Sequence, residues 1–482
     1  MPLILPGNVA SATASTTYDV ANSCMFDGSS AYLRKTFSGT STDSNKCTMS
    51  FWCKKATNGA NLTLLTANIG GSSNRDRLYF DADDKLQFFL DNAGDGNLLT
   101  NRVFRDNSAW YHIFIAIDTT QGTAANRVKI YINGTQETSF GTESYPAEDY
   151  ALTGFGHSVE HTIGADDSDG GSNEYYNGYM AEVAFVNGVA HAVTDFGEFN
   201  EDSPQIWQPK DITSGITWGT NGFYLDFEDS DNLGDDESGN THDFAETNIA
   251  ATDQGLDSPT NNFCTLNPLT NHSNGITLSE GNLKCTTSDS PWQGQSATFG
   301  VSAGKWYYEV LATETSVDQY IVAGIQSDYL ASSQAGTFGF LYNYSYGMKF
   351  YDGDKVYNES DGGTSADHGN AVTDGQIVGV AFDLDNQKMY FSINGTWQNS
   401  GDPTSGATGT GSITNLQSGQ TYIPNITLGN SGGDPIASVN FGSPSFAISS
   451  GNSDADGYGN FEYSVPSGYY SLCTKNLGAY GG

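Results

Sequence analysis

Two stretches constrain this chain most: RVKIYINGTQ, residues 127–136, and KMYFSINGTW, residues 388–397. In the first, Val128, Ile130 and Ile132 alternate with polar residues; in the second, Met389, Phe391 and Ile393 do. A period of two is the signature of a strand with one buried face. Both strands close on Asn-Gly, Asn133-Gly134 and Asn394-Gly395. A type I′ hairpin turn needs positive φ at both central positions, which this dipeptide tolerates best. The echo is too isolated for a solenoid or propeller. It predicts two separate antiparallel β domains that each use the same hairpin.

A length of 482 residues fits two or three domains. The 57 glycines suit many short strands joined by tight turns, and stretches with a helical period are scarce. The expected fold is therefore all-β: two antiparallel, jelly-roll-like β-sandwiches with an acidic connector and short terminal extensions.

Charge narrows the partners. With 19 basic against 56 acidic residues the formal charge is −37. Nucleic acid and anionic lipid both demand a basic patch, so neither is expected, and nothing approaches the length of a membrane span. The acidity itself reads as cation binding, adaptation to a salty medium, or a solvated surface. Cys24, Cys47, Cys53, Cys264, Cys285 and Cys473 show neither CxxC nor histidine at zinc spacing. They read as free buried thiols, Cys47 and Cys53 being the one pair close enough for another reading. The opening MPLILPGNVASAT has no positive n-region and only a short apolar run. It does not read as a signal peptide, and synthesis in a cytoplasm is expected.

From residue 17 to 230, short strands follow at sandwich spacing: FDGSSAYL, SFWCKK, AWYHIFIAID, the INGT hairpin and GYMAEVAFVNG. Their order resembles the laminin-G-like, concanavalin A-like lectin/glucanase family. Residues 275–450 resemble a SPRY domain through GKWYYEV, VAGIQ, DGQIVGVAFDLDNQKMYFSINGTW, YIPNITLG and VNFG. Trp52, Trp110 and Trp306 fall in family core strands and are expected to pack. Residues 231–274 form a polar, acidic connector with apolar anchors at Phe244, Ile249, Phe263 and Leu266. Residues 451–482 alternate enough apolar side chains to be packed, and residues 1–16 read as an anchor segment. The combination, with its DSPTNNF connector and SGYYSLCTKNL close, resembles virion proteins of tailed phages, especially those of aquatic bacteria. That resemblance implies a tail fibre, appendage or capsid-surface protein made in a host bacterium. Its expected partners are other virion proteins and a host-surface glycan or protein, and its expected assembly is a homotrimer.

The glucanase kinship raises catalysis, which needs two carboxylates about 5 Å apart for retention. Asp226 and Glu228 have alternate-position spacing, but the glucanase Glu-Asp-Glu pattern is absent. The seven scattered histidines accompany neither GxSxG nor a Cys-His pattern, so no catalytic residue is assigned and a non-enzyme is expected. Alternatives are a polysaccharide-degrading hydrolase and a purely structural subunit-contact protein. Calcium is the candidate cofactor, because two Gly-containing turns cluster hard oxygen donors. One carries Asp166, Asp167 and Asp169; the other carries Asp229, Asp231, Asp235 and Asp236. For ligand contact, Tyr342, Tyr344 and Tyr346 share one face of a strand or loop. Such a row suits stacking on sugars or proteins, or packing on the sandwich. Trp292, Tyr175 and Tyr176 lie nearer loops and complete the contact candidates.

Overall fold

Both Asn-Gly hairpins form in the computed structural model, and each does more than reverse the chain. Asn133 and Asn394 adopt φ of +48° and +47°, followed by Gly134 and Gly395 at +74° and +73°. Each Asn carboxamide oxygen also accepts an N–H from the neighbouring strand: His112 at 2.7 Å and Ile377 at 2.9 Å. Each glycine lies beneath an aromatic ring, since an added Cβ would fall 2.2 Å from Trp207 or 2.7 Å from Tyr463. Positive φ and ring contact both exclude a side chain there.

The structure describes residues 3–6, 9, 18–70, 74–90, 96–166, 174–270, 275–287, 292–313, 320–327, 344–358, 364–414, 416–429 and 434–482. The chain divides into two units, Ala14–Thr260, and Asn261–Gly482 with Met1–Thr13. The segment read as a connector is thus shared out. Leu233 and Phe244 enter the core of the first unit, while Cys264 and Leu266 enter that of the second.

In the first unit, one sheet runs Thr135–Gln136, Val128–Ile132, Tyr111–Asp118, Lys46–Lys55, Asn177–Asn187, Ser23–Asp27, Gln254–Gly255, with Phe223–Leu225 paired to Asn177–Asn187. The other runs Phe140–Ser144, Asn97–Val103, Lys85–Phe89, Arg75–Phe80, Leu62–Asn68, Glu160–Ile163, Tyr32–Thr36, Ala245–Thr247. These pairings are antiparallel, and the inward faces supply Phe51, Leu78, Phe80, Leu86, Phe88, Ile113, Ile115 and Phe185 to one apolar core. The outer face of the first sheet is buried as well. Trp52, Trp110, Phe114 and Tyr179 meet Phe196, Trp207 and Trp218, which arrive from the segment after the sheet's longest strand. Trp207 donates from Nε1 to His112 Nδ1 at 3.0 Å.

Alternation also sends consecutive lysines to opposite faces. Lys54 pairs with Asp257 at 2.7 Å and Lys55 with Asp84 at 2.9 Å, all four side chains almost wholly buried. Trp110 Nε1 donates to the second Asp257 oxygen at 3.0 Å. The DSPT stretch is thereby tied to the outer face of its own sheet.

The second unit builds an antiparallel sheet in the order Ile276–Ser279, Lys284–Thr287, Ile436–Asn440, Lys305–Thr313, Ile377–Asp383, Lys388–Ile393, Thr396–Trp397. Facing it are Gln293–Ser296, Ile423–Leu428, Ile321–Gln326, Ser345–Lys349, Lys355–Asn358 and Thr364–Ala366. Trp306, Tyr308, Val380, Phe382 and Phe391 pack between them with Met348, Ile325 and Ile426. The tail is packed as its alternation requires: Leu472 and Leu477 enter this core, and residues Thr474–Tyr480 form the one α-helix among the described residues. All six cysteines are free and buried.

Candidate functional site

The second sheet of the first unit turns a partly open, polar face outward. In RDRLYF, Leu78 and Phe80 point to the core, so Arg75, Arg77 and Tyr79 point away. Register aligns them with outward residues of neighbouring strands. Tyr79 lies opposite Thr63 and Gln87, Arg77 opposite Thr66 and Phe89, and Phe89 opposite Asn97.

These side chains hold one another. Arg77 donates from Nη2 to Thr63 Oγ1 at 2.8 Å and lies 3.7 Å over the Tyr79 ring. Tyr79 donates its hydroxyl to Gln87 Oε1, and Gln87 Nε2 donates to Asn97 Oδ1 at 2.8 Å. A bulge at Leu64 interrupts the strand register, and its carbonyl accepts the Gly164 N–H at 3.1 Å. The Gly164 carbonyl accepts the Tyr176 N–H at 2.8 Å in turn. Asp166 pairs with Arg75 at 2.8 Å and Arg77 at 3.4 Å. Glu174 pairs with Arg77 and accepts from Asn61 Nδ2 at 2.7 Å. Burial lowers the Arg77 guanidinium to about 10, which leaves it charged at neutral pH. Asp166 Oδ1 is buried and has no hydrogen-bond partner among the described residues.

Two guanidiniums, a phenol and two amides thus stand across the sheet with two carboxylates beside them, held by one another before any ligand arrives. Tyr79, Gln87, Asn97, Arg75 and Glu174 keep part of their surface open. Such an array suits a ligand carrying many hydroxyls, since the guanidiniums donate, the carboxylates accept, and the phenol and amides do both.

The residues expected from sequence fall elsewhere in part. Tyr176 is fully buried, edge-on to Phe26 at 6.0 Å, with its hydroxyl donating to the Lys54 carbonyl. Tyr346 is also fully buried, packed against Tyr422 at 6.1 Å. Neither offers a contact surface: the shared face of Tyr344 and Tyr346 turns inward, and Tyr344 packs on the same core. Tyr342, Asp167 and Asp169 lie outside the described residues. Tyr175 remains partly open beside Tyr32, and Trp292 is partly open in the second unit.

Several described residues of the two acidic stretches are engaged with other protein groups. Asp166 is held by two arginines. Asp236 accepts from the N–H groups of Tyr224, Ser238 and His242. Asp229 accepts the Asp231 N–H at 2.9 Å, and the Asp235 N–H goes to the Asn232 carbonyl. Among the described residues, no group of three His, Cys, Asp or Glu side chains is placed to hold a metal.

Asp226 and Glu228 do not share a strand face. The strand ends at Leu225, Phe227 takes φ of +62°, and Asp226 caps the Glu228 N–H at 3.0 Å. What sequence reasoning missed is their neighbour Glu182. It sits at a bulge with φ of +54°, only 5 % exposed, and accepts from the Tyr224 hydroxyl at 2.8 Å. Burial, reinforced by the negative charge of Asp226 and Glu228, raises its carboxyl to about 8. Ser50 and His112 form a hydrogen bond of 2.9 Å, yet the tautomer is wrong for base catalysis. Because the Trp207 indole can only donate, His112 Nδ1 accepts and Nε2 carries the proton toward Ser50. Burial lowers that imidazole to about 3.

The family model described as the concanavalin A-like lectin/glucanases superfamily matches residues 27–192. Among solved structures, the chain is similar to the SPRY domain of human HERC1, at 11% identity and a TM-score of 0.27, covering 36% of this chain and 96% of that one. A heptameric SAP-like pentraxin from Limulus polyphemus is similar at 15% identity and TM-score 0.27, over 35% of this chain and 77% of its own. A Bacteroides ovatus protein proposed to bind carbohydrate is similar at 19% identity and TM-score 0.32, over 48% and 60%. No curated protein matches the sequence.

Proposed function

We propose that this is a non-catalytic glycan-binding protein of a phage virion, carried as a tail fibre, appendage or capsid-surface component. The observation that carries the binding reading is the preset row of Arg77, Tyr79, Gln87 and Asn97, flanked by Asp166 and Glu174. It lies within the residues matched to a superfamily of lectins and glucanases. A host-surface glycan would exchange water for these groups with little reordering of side chains, which favours affinity. The virion assignment draws on the resemblance of the domain combination to tailed-phage proteins. Homotrimeric assembly and contact with other virion proteins belong to the same reading.

A hydrolase on the first unit is the weaker reading. Its best acid, Glu182, lies beneath Tyr18 and Tyr224, away from the open face. A host-polysaccharide glycan array, read beside reducing-sugar release, tests the proposal. Wild type should bind without releasing reducing ends, and Gln87→Ala and Arg75→Ala should each weaken binding about tenfold. Turnover, or binding that survives both substitutions, would refute it. Antibody labelling that fails to decorate purified particles would refute the virion assignment separately.

A further inference from the structure

The second unit carries an aromatic cluster that its buried core does not use. Trp292 precedes the strand Gln293–Ser296, Tyr320 precedes Ile321–Gln326, and Tyr351 follows Ser345–Lys349 just past Phe350. Register brings these positions to one end of the sheet: Gln293 and Ile321 both pair with Leu428, and Val322 pairs with Lys349. The rings form a closed triangle with centroid separations of 5.9, 5.1 and 6.1 Å, Tyr320 and Tyr351 being stacked. Trp292 lies flat over Gly429, where an added Cβ would come within 2.6 Å of its ring-fusion carbon. All three rings stay partly open, outside the buried core cluster.

A polar rim adjoins the rings. Lys349 Nζ sits 5.0 Å over the Tyr351 ring and pairs with Asp352 at 2.8 Å and Asp354 at 3.4 Å. Ser365 donates to Asp354 at 2.7 Å. The Lys349 side chain is largely buried at 9 % exposure, whereas those of Asp352 and Asp354 keep 35 % and 29 %. Partly open rings beside partly exposed carboxylates, with the Lys349 cation held between ring and rim, match a sugar that offers a C–H face for stacking and hydroxyls for donation. The surplus negative charge of the rim disfavours uronic or sialic acids.

We propose that Trp292, Tyr320 and Tyr351 form a second glycan site that takes a neutral hexopyranose, with Asp352 and Asp354 accepting its hydroxyls. The site is built from the second unit alone and does not depend on the face around Arg77.

Saturation-transfer NMR on the full chain, with cello-, malto-, chito- and manno-oligosaccharides as probes, tests it. At least one series should receive transfer from the protein. Affinity should fall about tenfold in Tyr351→Ala and stay near wild type in Tyr351→Phe, which keeps the ring. It should persist in Gln87→Ala, so failure of the first-unit face leaves this result intact. A panel with no transfer, transfer unaffected by Tyr351→Ala, equal loss in Tyr351→Phe, or competition by a polyproline peptide alone would each overturn the site.

Discussion

Replacing Asp84 with asparagine isolates one buried charge with little change of shape. Asp84 adopts φ of +64°, and asparagine is among the few residues that tolerate that region. The carboxylate accepts from Lys55 Nζ at 2.9 Å, from the Gly59 N–H at 2.9 Å and from Arg105 Nε at 3.0 Å. Burial alone would raise its pKa, but these three donors outweigh it and hold it low. Lys55 shows the converse: burial lowers its pKa, and Asp84 pulls it part of the way back. In Asp84→Asn the lysine loses its counter-ion while its amino group still donates to the Phe104 carbonyl.

Removing one partner of a buried pair costs about 3–5 kcal/mol. The lysine can escape by shedding its proton, which sets a ceiling. From an unperturbed pKa of about 10.4, neutralisation costs about 1.36 kcal/mol per pH unit, roughly 4.6 kcal/mol at pH 7 and roughly 2 kcal/mol at pH 9. Scanning calorimetry should therefore place the first unit's transition about 6–18 °C lower at pH 7, with a deficit that shrinks toward pH 9. Arg105→Ala should cost at most about 1 kcal/mol, because that side chain is 60 % exposed. A deficit below about 1 kcal/mol at pH 7, or one that grows with pH, would refute the reasoning.

Glu182 gives a pH dependence of opposite sense. Its folded pKa is raised to about 8, so its favourable contribution is complete below the unfolded value near 4.5. It is lost as pH rises through 8. Glu182→Gln should flatten the melting profile between pH 5 and 9 and exceed wild type at pH 9, while a profile parallel to wild type would contradict this. Asn394→Ala should cost about 1–2 kcal/mol in urea unfolding, since it loses both the left-handed preference and the bond to Ile377. Asn394→Gly should cost less, because only the bond is lost, and equal costs would remove the backbone contribution.

The hairpins were readable because Asn-Gly chemistry is local: the same dipeptide meets the same geometric demand at both sites. The all-β class was readable for the same reason, through period-two alternation. What could not be read depends on register. Tyr344 and Tyr346 share a face by spacing, but only strand pairing shows that this face turns inward. Tyr176 lies in polar, loop-like sequence and looks exposed until its ring is seen filling space beside Phe26. The face around Arg77 was missed although its strand, RDRLYF, shows the alternation clearly. Outward Arg and Tyr on such a strand were the available signal. Their assembly depends on the Leu64 bulge and on partners more than eighty residues away, which periodicity does not encode.

The placement of the cations bears on which ligand the chain accepts. Only 19 Lys and Arg oppose 56 acidic residues, so the positions given to them carry information. Lys54, Lys55 and Arg77 are buried and tied to carboxylates. Arg75, one of the cations beside the open row, keeps 22 % of its side chain exposed and is already paired with Asp166. A polymer bearing regular negative charge would meet a field of its own sign, and at physiological salt this acts over about 8 Å. To use Arg75 it would have to break that pairing with Asp166, which leaves it Lys85, on the outward face of the same strand as Gln87. A neutral glycan faces neither cost and uses the groups that remain, the amides of Gln87 and Asn97 and the phenol of Tyr79. The charge balance therefore selects against acidic ligands at the face that the hydrogen-bonded array prepares.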